Sequence, residues 1–213
     1  DGNQLKAAIL ASANYPQPIY FRIQRGRDPV VYETVPEFVF GKATVHLTGG
    51  ELTIIATGST VHPALEAARA LNAAGRSVGV IDMTTIKPLD REAVLTAARN
   101  SRAILTVEEH NIIGGLGGAV CEVIAEEGIG VKVGRHGLYD EYSLIAPPTH
   151  LYRHYRLDAA GIESVALEVL GCHGARRPAE ARGGRPQLRR ELPLPVPRLH
   201  DKQQAGEREC DRK

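Results

Sequence analysis

The sequence predicts an α/β fold, a mostly parallel sheet with helices on both faces. Three observations carry this. Short apolar runs at residues 54–56, 78–81 and 103–107 are too brief for a helical period. Longer stretches between them repeat apolar residues at a spacing of about 3.6. Capping and stop residues punctuate each change from one to the other. Strands buried by helices on both sides read as continuous apolar runs, and alternation of strand and helix calls for parallel pairing.

The elements follow in order. Asp1 caps a helix over residues 4–12, with Leu5, Ala8 and Ile9 as its apolar stripe. Pro16 and Pro18 end it, and residues 18–23, rich in β-branched and aromatic side chains, read as a strand. Next comes the polar loop Gln24-Arg25-Gly26-Arg27-Asp28-Pro29. Arginine at a strand end beside a glycine suits bidentate capture of a phosphate or carboxylate, and it equally suits a plain solvated loop. Residues 33–42, with a turn at Pro36, read as a linker. Residues 43–47 and 52–56 read as two strands joined in a hairpin by Thr48-Gly49-Gly50-Glu51.

From residue 54 onward the order is βαβα. Ser59 or Thr60 caps a helix to Ala74, with Val61, Leu65, Ala68 and Leu71 on one face, and Gly75 stops it. Residues 78–81 form a strand, and Asp90 caps the helix that ends near Asn100. Residues 103–107 form the next strand, which runs out through Glu108-Glu109-His110-Asn111 into a glycine-rich turn. A helix begins near Gly117 and runs to Glu127. Residues 131–133 are a further short strand, Thr149 caps a short helix, and Asp158 caps the last one, to Leu170. Right-handed crossovers place Thr57-Gly58-Ser59, residues 82–87 and residues 108–115 on one edge, the candidate working surface.

Composition sets the boundaries. Hydrophobic residues make up 43% of the 213, enough for a real core. Residues 172–213 carry eleven Lys/Arg against six Asp/Glu with many Pro and Gly and no apolar period, so they read as a disordered basic tail. Its charges are scattered with no interleaved aromatic residue, unlike a nucleic-acid-binding arm. No apolar run approaches membrane-spanning length and no signal peptide is visible, which makes the cytoplasm the default. The three cysteines have no metal or disulfide spacing, and Cys121 reads as a small buried hydrophobe. A start at Asp1, already inside a helix, suits a fragment or the partner of an upstream piece.

Along the candidate edge lie Asp82, Lys87, Glu108, Glu109 and His110. Glu108 and Glu109 do not form an acid/base pair, because neighbours in extended chain point to opposite sides. His110, beside the glycine turn, is placed to hydrogen-bond a substrate hydroxyl or phosphate, although a loop histidine is also common on plain surfaces. The turn is not a dinucleotide fingerprint, since Gly115-x-Gly117 is followed by Val120 where glycine is required. No nucleophile elbow, P-loop or metal constellation is present in the sequence.

Thr57-Gly58-Ser59, residues 75–82, Ile86-Lys87-Pro88-Leu89-Asp90 and Thr106-Val107-Glu108-Glu109-His110-Asn111-x-x-Gly114-Gly115-Leu116-Gly117 resemble the C-terminal domain of the transketolase family of thiamine diphosphate enzymes. The likeness covers about residues 1–171 and is nearest to the C-terminal subunit of split transketolases. Deoxyxylulose-phosphate synthase and the 2-oxo acid dehydrogenase beta subunit share the architecture.

The resemblance implies residues 1–32 as the end of a pyrimidine-binding domain, a linker at 33–42 and a C-terminal domain at 43–171. It implies transfer of a two-carbon ketol unit between sugar phosphates. Thiamine diphosphate and magnesium would be bound mainly by domains outside this chain, which lacks the Gly-Asp-Gly motif of the diphosphate-binding domain. It also implies an N-terminal transketolase subunit, or the missing upstream domains, as partner in a homo- or hetero-oligomer. It implies Arg25 as a substrate-binding residue, at the place of the family's sugar-phosphate arginine, and His110 joins it on its position beside the glycine turn alone. The alternative is a non-catalytic dimerisation or regulatory module. Neither a membrane nor a nucleic acid is expected as partner.

Overall fold

The computed structural model describes residues 1–24 and 28–172. Its five strands are β1 (Thr44–Leu47), β2 (Leu52–Ala56), β3 (Val78–Asp82), β4 (Ala103–Asn111) and β5 (Lys132–Leu138). They lie in the order β1-β3-β2-β4-β5, all parallel except β1, which runs antiparallel to β3. The helices are α1 (Gly2–Ser12), α2 (Val61–Ala73), α3 (Arg91–Asn100), α4 (Leu116–Glu126), α5 (Pro148–His154) and α6 (Ala159–Leu170).

Alternation along the strands sorts the core into two layers. Ile54, Ala56, Val80, Leu105 and Val107 pack against α2 and α6. Ile55, Ile81 and Ile104 pack against α3 and α4. β2 lies at the centre and all five of its residues are buried. Each large side chain buried this way contributes about 1.5–3 kcal/mol, so the two layers hold the sheet's carboxyl ends firmly in register. Three of the caps expected from sequence are present: Asp1, Asp90 and Asp158 accept from the backbone N–H groups of Gln4, Ala93 and Gly161. Thr60 stands at the cap position of α2 without a side-chain cap hydrogen bond, because its hydroxyl donates instead to the Thr57 and Val107 carbonyls. Gly75 follows α2 at φ +83°, a conformation that favours glycine. No helix among the described residues is long and apolar enough to cross a membrane.

The structure corrects several expectations. Residues 43–47 and 52–56 do not form a hairpin: β1 pairs with β3, Thr44 opposite Asp82 and Val45 opposite Ile81. The fully buried β2, apolar but for Thr53, gains most by taking the centre between two parallel neighbours, which sends β1 to the edge. The crossing depends on close backbone contact, since a Cβ on Gly49 would collide with the Gly79 nitrogen.

Residues 18–23 lie outside the sheet. A strand needs a neighbour to accept its ladder hydrogen bonds, and the described sheet is bounded by β1 and β5. β4 and β5 are longer than expected because pairing resumes beyond Val107, with Asn111 opposite Leu138. The short helix begins at Pro148, with Pro147 and not Thr149 at its cap position, a proline fitting the donor-free first turn. Cys121 is only partly buried. Residues 173–213, the expected basic tail, lie outside the described residues.

Candidate functional site

β2 and β4 are adjacent and parallel, yet β2 leads to α2 on one face and β4 to α4 on the other. Such a divergence opens a crevice at the carboxyl ends of the two strands. The ends are tied together. The Thr57 amide and the Thr60 hydroxyl both donate to the Val107 carbonyl, at 3.3 and 2.9 Å. Thr57-Gly58-Ser59 and the end of β4 therefore meet, as the crossover argument expects.

The last residues of β4 alternate between the two sides of the sheet, and their chemistry alternates with them. Glu108, only 1% exposed, points towards α4 and accepts from the amides of Leu116 at 2.7 Å and Gly117 at 2.8 Å. Its negative charge sits at the positive end of the helix dipole. The glycines fit around this carboxylate. A Cβ on Gly115 would overlap Glu108 Oε2, and one on Gly117 would lie 2.8 Å from Thr106 Oγ1. The turn is a packing solution whose helix-start amides are already taken. Glu108 acts as a structural cap that occupies the Leu116 and Gly117 amides.

Glu109 lies on the opposite side. Its Oε2 accepts from Gln24 Nε2 at 2.9 Å and from the Tyr152 hydroxyl, a second and very short hydrogen bond. These partners come from the segment preceding residue 25 and from α5, 85 and 43 positions away in sequence. Burial, and then the Glu109 carboxylate, push the Tyr152 hydroxyl well above the usual tyrosine range, so it stays a donor. The Ser59 side chain lies beside it.

His110 stands at the open end of β4 with its side chain 47% exposed. Its Nδ1 lies 2.8 Å from the Asn111 carbonyl and 3.8 Å from Glu108 Oε2. A carbonyl only accepts, so Nδ1 carries a proton in this arrangement and Nε2 faces away from it. Asn111 is braced on both sides, donating to Asp140 at 2.8 Å and accepting from the Ile113 amide at 2.8 Å.

The remaining edge residues are not brought together with these. Asp82 is sealed at 1% exposure and accepts from Tyr32 at 2.7 Å and Gln4 Nε2 at 2.5 Å, which ties the N-terminal segment to β3. Burial pushes its carboxyl above the usual range, and the two donors oppose that shift. Lys87 is exposed beyond the strand end. Arg25 lies outside the described residues. Among the described residues no three His, Cys, Asp or Glu side chains are grouped to hold a metal ion.

Sequence reasoning missed Tyr152 and the tie between Gln24 and Glu109. Nothing local marks either, because each contact joins elements far apart in the chain.

The family model for the transketolase C-terminal domain matches residues 41–162. An apulose-4-phosphate transketolase subunit of Phocaeicola vulgatus is 41% identical over 80% of this chain and 54% of that protein. The putative transketolase C-terminal section of Methanocaldococcus jannaschii is 39% identical over 78% of this chain and 51% of that protein. 1-deoxy-D-xylulose-5-phosphate synthase 1 of Geobacter sulfurreducens is 39% identical over 84% of this chain but 29% of its own length. A solved structure described as a split gene transketolase, inactive beta4 tetramer, superposes with a TM-score of 0.76 at 36% identity, covering 81% of this chain and 56% of the other. The chain thus spans about half the length of the split-type relatives it matches.

Proposed function

This chain belongs to the transketolase C-terminal domain family, and from that premise we propose that it is the C-terminal part of a thiamine diphosphate-dependent enzyme of the split-transketolase type. The assembly would transfer a two-carbon ketol unit between sugar phosphates in the cytoplasm. Residues 1–32 would be the end of a pyrimidine-binding domain and 33–42 a linker. The cofactor and its magnesium would sit mainly on domains contributed by a partner subunit or by further chain, as the family resemblance implies.

The observation that carries this reading is a contrast in burial. The domain matched by the family is packed on both faces of its sheet. The N-terminal segment leaves Ile9, Leu10, Tyr20, Ile23 and Val30 exposed. Tyr142, Leu144 and Ile145, before α5, are exposed as well, so the N-terminal segment and this loop both offer apolar surface suited to cover by another domain or subunit. The relative described as an inactive tetramer of beta chains supports the expectation that this chain alone does not turn over substrate.

Within the assembly this chain would form one wall of the substrate channel, at the crevice where β2 and β4 end. His110, through Nε2, would hydrogen-bond a sugar hydroxyl. Arg25 would grip the remote phosphate with its guanidinium fork, so that binding energy there orients the reacting carbonyl.

The test mixes the purified chain with an N-terminal transketolase subunit, thiamine diphosphate and magnesium, and follows ketol transfer beside Arg25→Ala and His110→Ala. Activity that needs both chains, with KM for the phosphorylated substrate raised about tenfold or more in Arg25→Ala, is expected. Failure of every such partner to give an active complex would instead favour a binding or assembly module.

A further inference from the structure

We propose that Glu109 and Tyr152 are positioning residues that clamp Gln24, and with it the chain entering residue 25, against the carboxyl edge of the sheet. The proposal rests on the split-transketolase reading above and adds a role for three side chains to it.

The geometry carries it. Tyr20, Arg22 and Ile23, on the approach to Gln24, are exposed, so the core does not hold this stretch. Gln24 itself is half-buried and donates to Glu109, whose carboxylate also takes the Tyr152 hydroxyl. One carboxylate thus gathers three elements: the N-terminal segment, the end of β4 and the start of α5. A single carboxylate oxygen takes both donors, and both hydrogen bonds are strengthened by its charge. The cluster sits on the α2/α6 side of β4, next to Ser59, at the crevice where the connections from β2 and β4 diverge.

Within the domain Glu109 holds α5 alone, through Tyr152, which packs against the α2/α6 core layer. The neighbouring Glu108 closes the helix start, whereas the donors to Glu109 come from a loop approach and a short surface helix. Loss of the clamp is therefore expected to free the segment and leave the sheet intact. If Arg25 grips the phosphate as proposed above, freeing the chain that leads to it costs substrate binding more than chemistry.

The experiment uses the full chain and two variants, Glu109→Gln and Tyr152→Phe, with two readouts. The first is limited trypsin cleavage after the exposed Arg22 in the chain alone, which requires local detachment of the segment. Both variants are expected to be cut about ten- to a hundredfold faster, the range that one lost charge-assisted hydrogen bond implies. The second is ketol transfer by the chain reconstituted with an N-terminal transketolase subunit and cofactor. KM for a phosphorylated aldose is expected to rise about tenfold with kcat retained within about twofold, while KM for unphosphorylated glycolaldehyde stays unchanged.

Unchanged cleavage in both variants would overturn the clamp, whatever the activity. Faster cleavage with an unchanged KM for the phosphorylated aldose would overturn the positioning role. An inactive wild-type assembly would overturn the functional reading on which that role depends, and the trypsin readout would still decide the clamp by itself.

Discussion

The two sides of β4's final turn make opposite uses of the same side chain. Glu108 is closed in by a helix start and a ring of glycines, and its oxygens are fully engaged by backbone amides. Glu109, one residue on, meets side chains from distant, half-exposed elements. β5 repeats the division: the Arg135 side chain packs beside Gly117, while His136 faces the end of α5 and donates to the Arg156 carbonyl at 2.8 Å. The difference teaches that a glycine-rich turn at a sheet's carboxyl edge need not be the ligand site. Here it is scaffold for the open side.

The sharpest way to break this comparison is Glu108→Ala. It strands two helix-start amides in a buried site, each bonded to a charged acceptor worth about 1.5–3 kcal/mol. A loss of about 3 kcal/mol or more in urea unfolding is expected. A loss below about 1 kcal/mol would mean that the turn holds without its carboxylate.

Gly115→Ala comes next, at about 2–3 kcal/mol by the same measurement. The new methyl must displace the Glu108 carboxylate from both of its hydrogen bonds.

The open side gives a pH-dependent effect. Burial lowers the His136 pKa below its ordinary 6.5. The unfolded chain therefore binds this proton more readily than the folded one, so stability falls as pH drops below about 6.5 and levels off above it. Urea midpoints at successive pH values should show a shallower decline in His136→Gln than in the wild type.

The smallest effect is expected at Gly118, which combines open space for an added methyl with an ordinary helical backbone. Gly118→Ala should stabilise by up to about 1 kcal/mol through helix propensity alone. Thermal unfolding of Gly115→Ala and Gly118→Ala side by side would show whether the glycines are there for close packing or for flexibility.

Much of the scaffold was legible in the sequence. The apolar runs of β2, β3 and β4, the caps Asp1, Asp90 and Asp158, and the stop at Gly75 depend on neighbouring residues, which a sequence displays directly. The antiparallel pairing of β1 with β3 was not legible, because a glycine-containing turn looks the same whether its strands pair with each other or cross a third. Opposite orientations of Glu108 and Glu109 followed from the strand period. Their partners did not, since Tyr152 and Gln24 reach Glu109 only after the whole sheet is assembled.

The most direct measurement compares Glu108→Gln with Glu109→Gln, taking the thermal midpoint of each chain and KM for a phosphorylated aldose in the reconstituted assembly. Glu108→Gln should lower the midpoint clearly, and Glu109→Gln should keep it within a few degrees while raising KM about tenfold. The reverse pattern, a collapsed midpoint in Glu109→Gln or an intact midpoint with raised KM in Glu108→Gln, would contradict the division between scaffold and site.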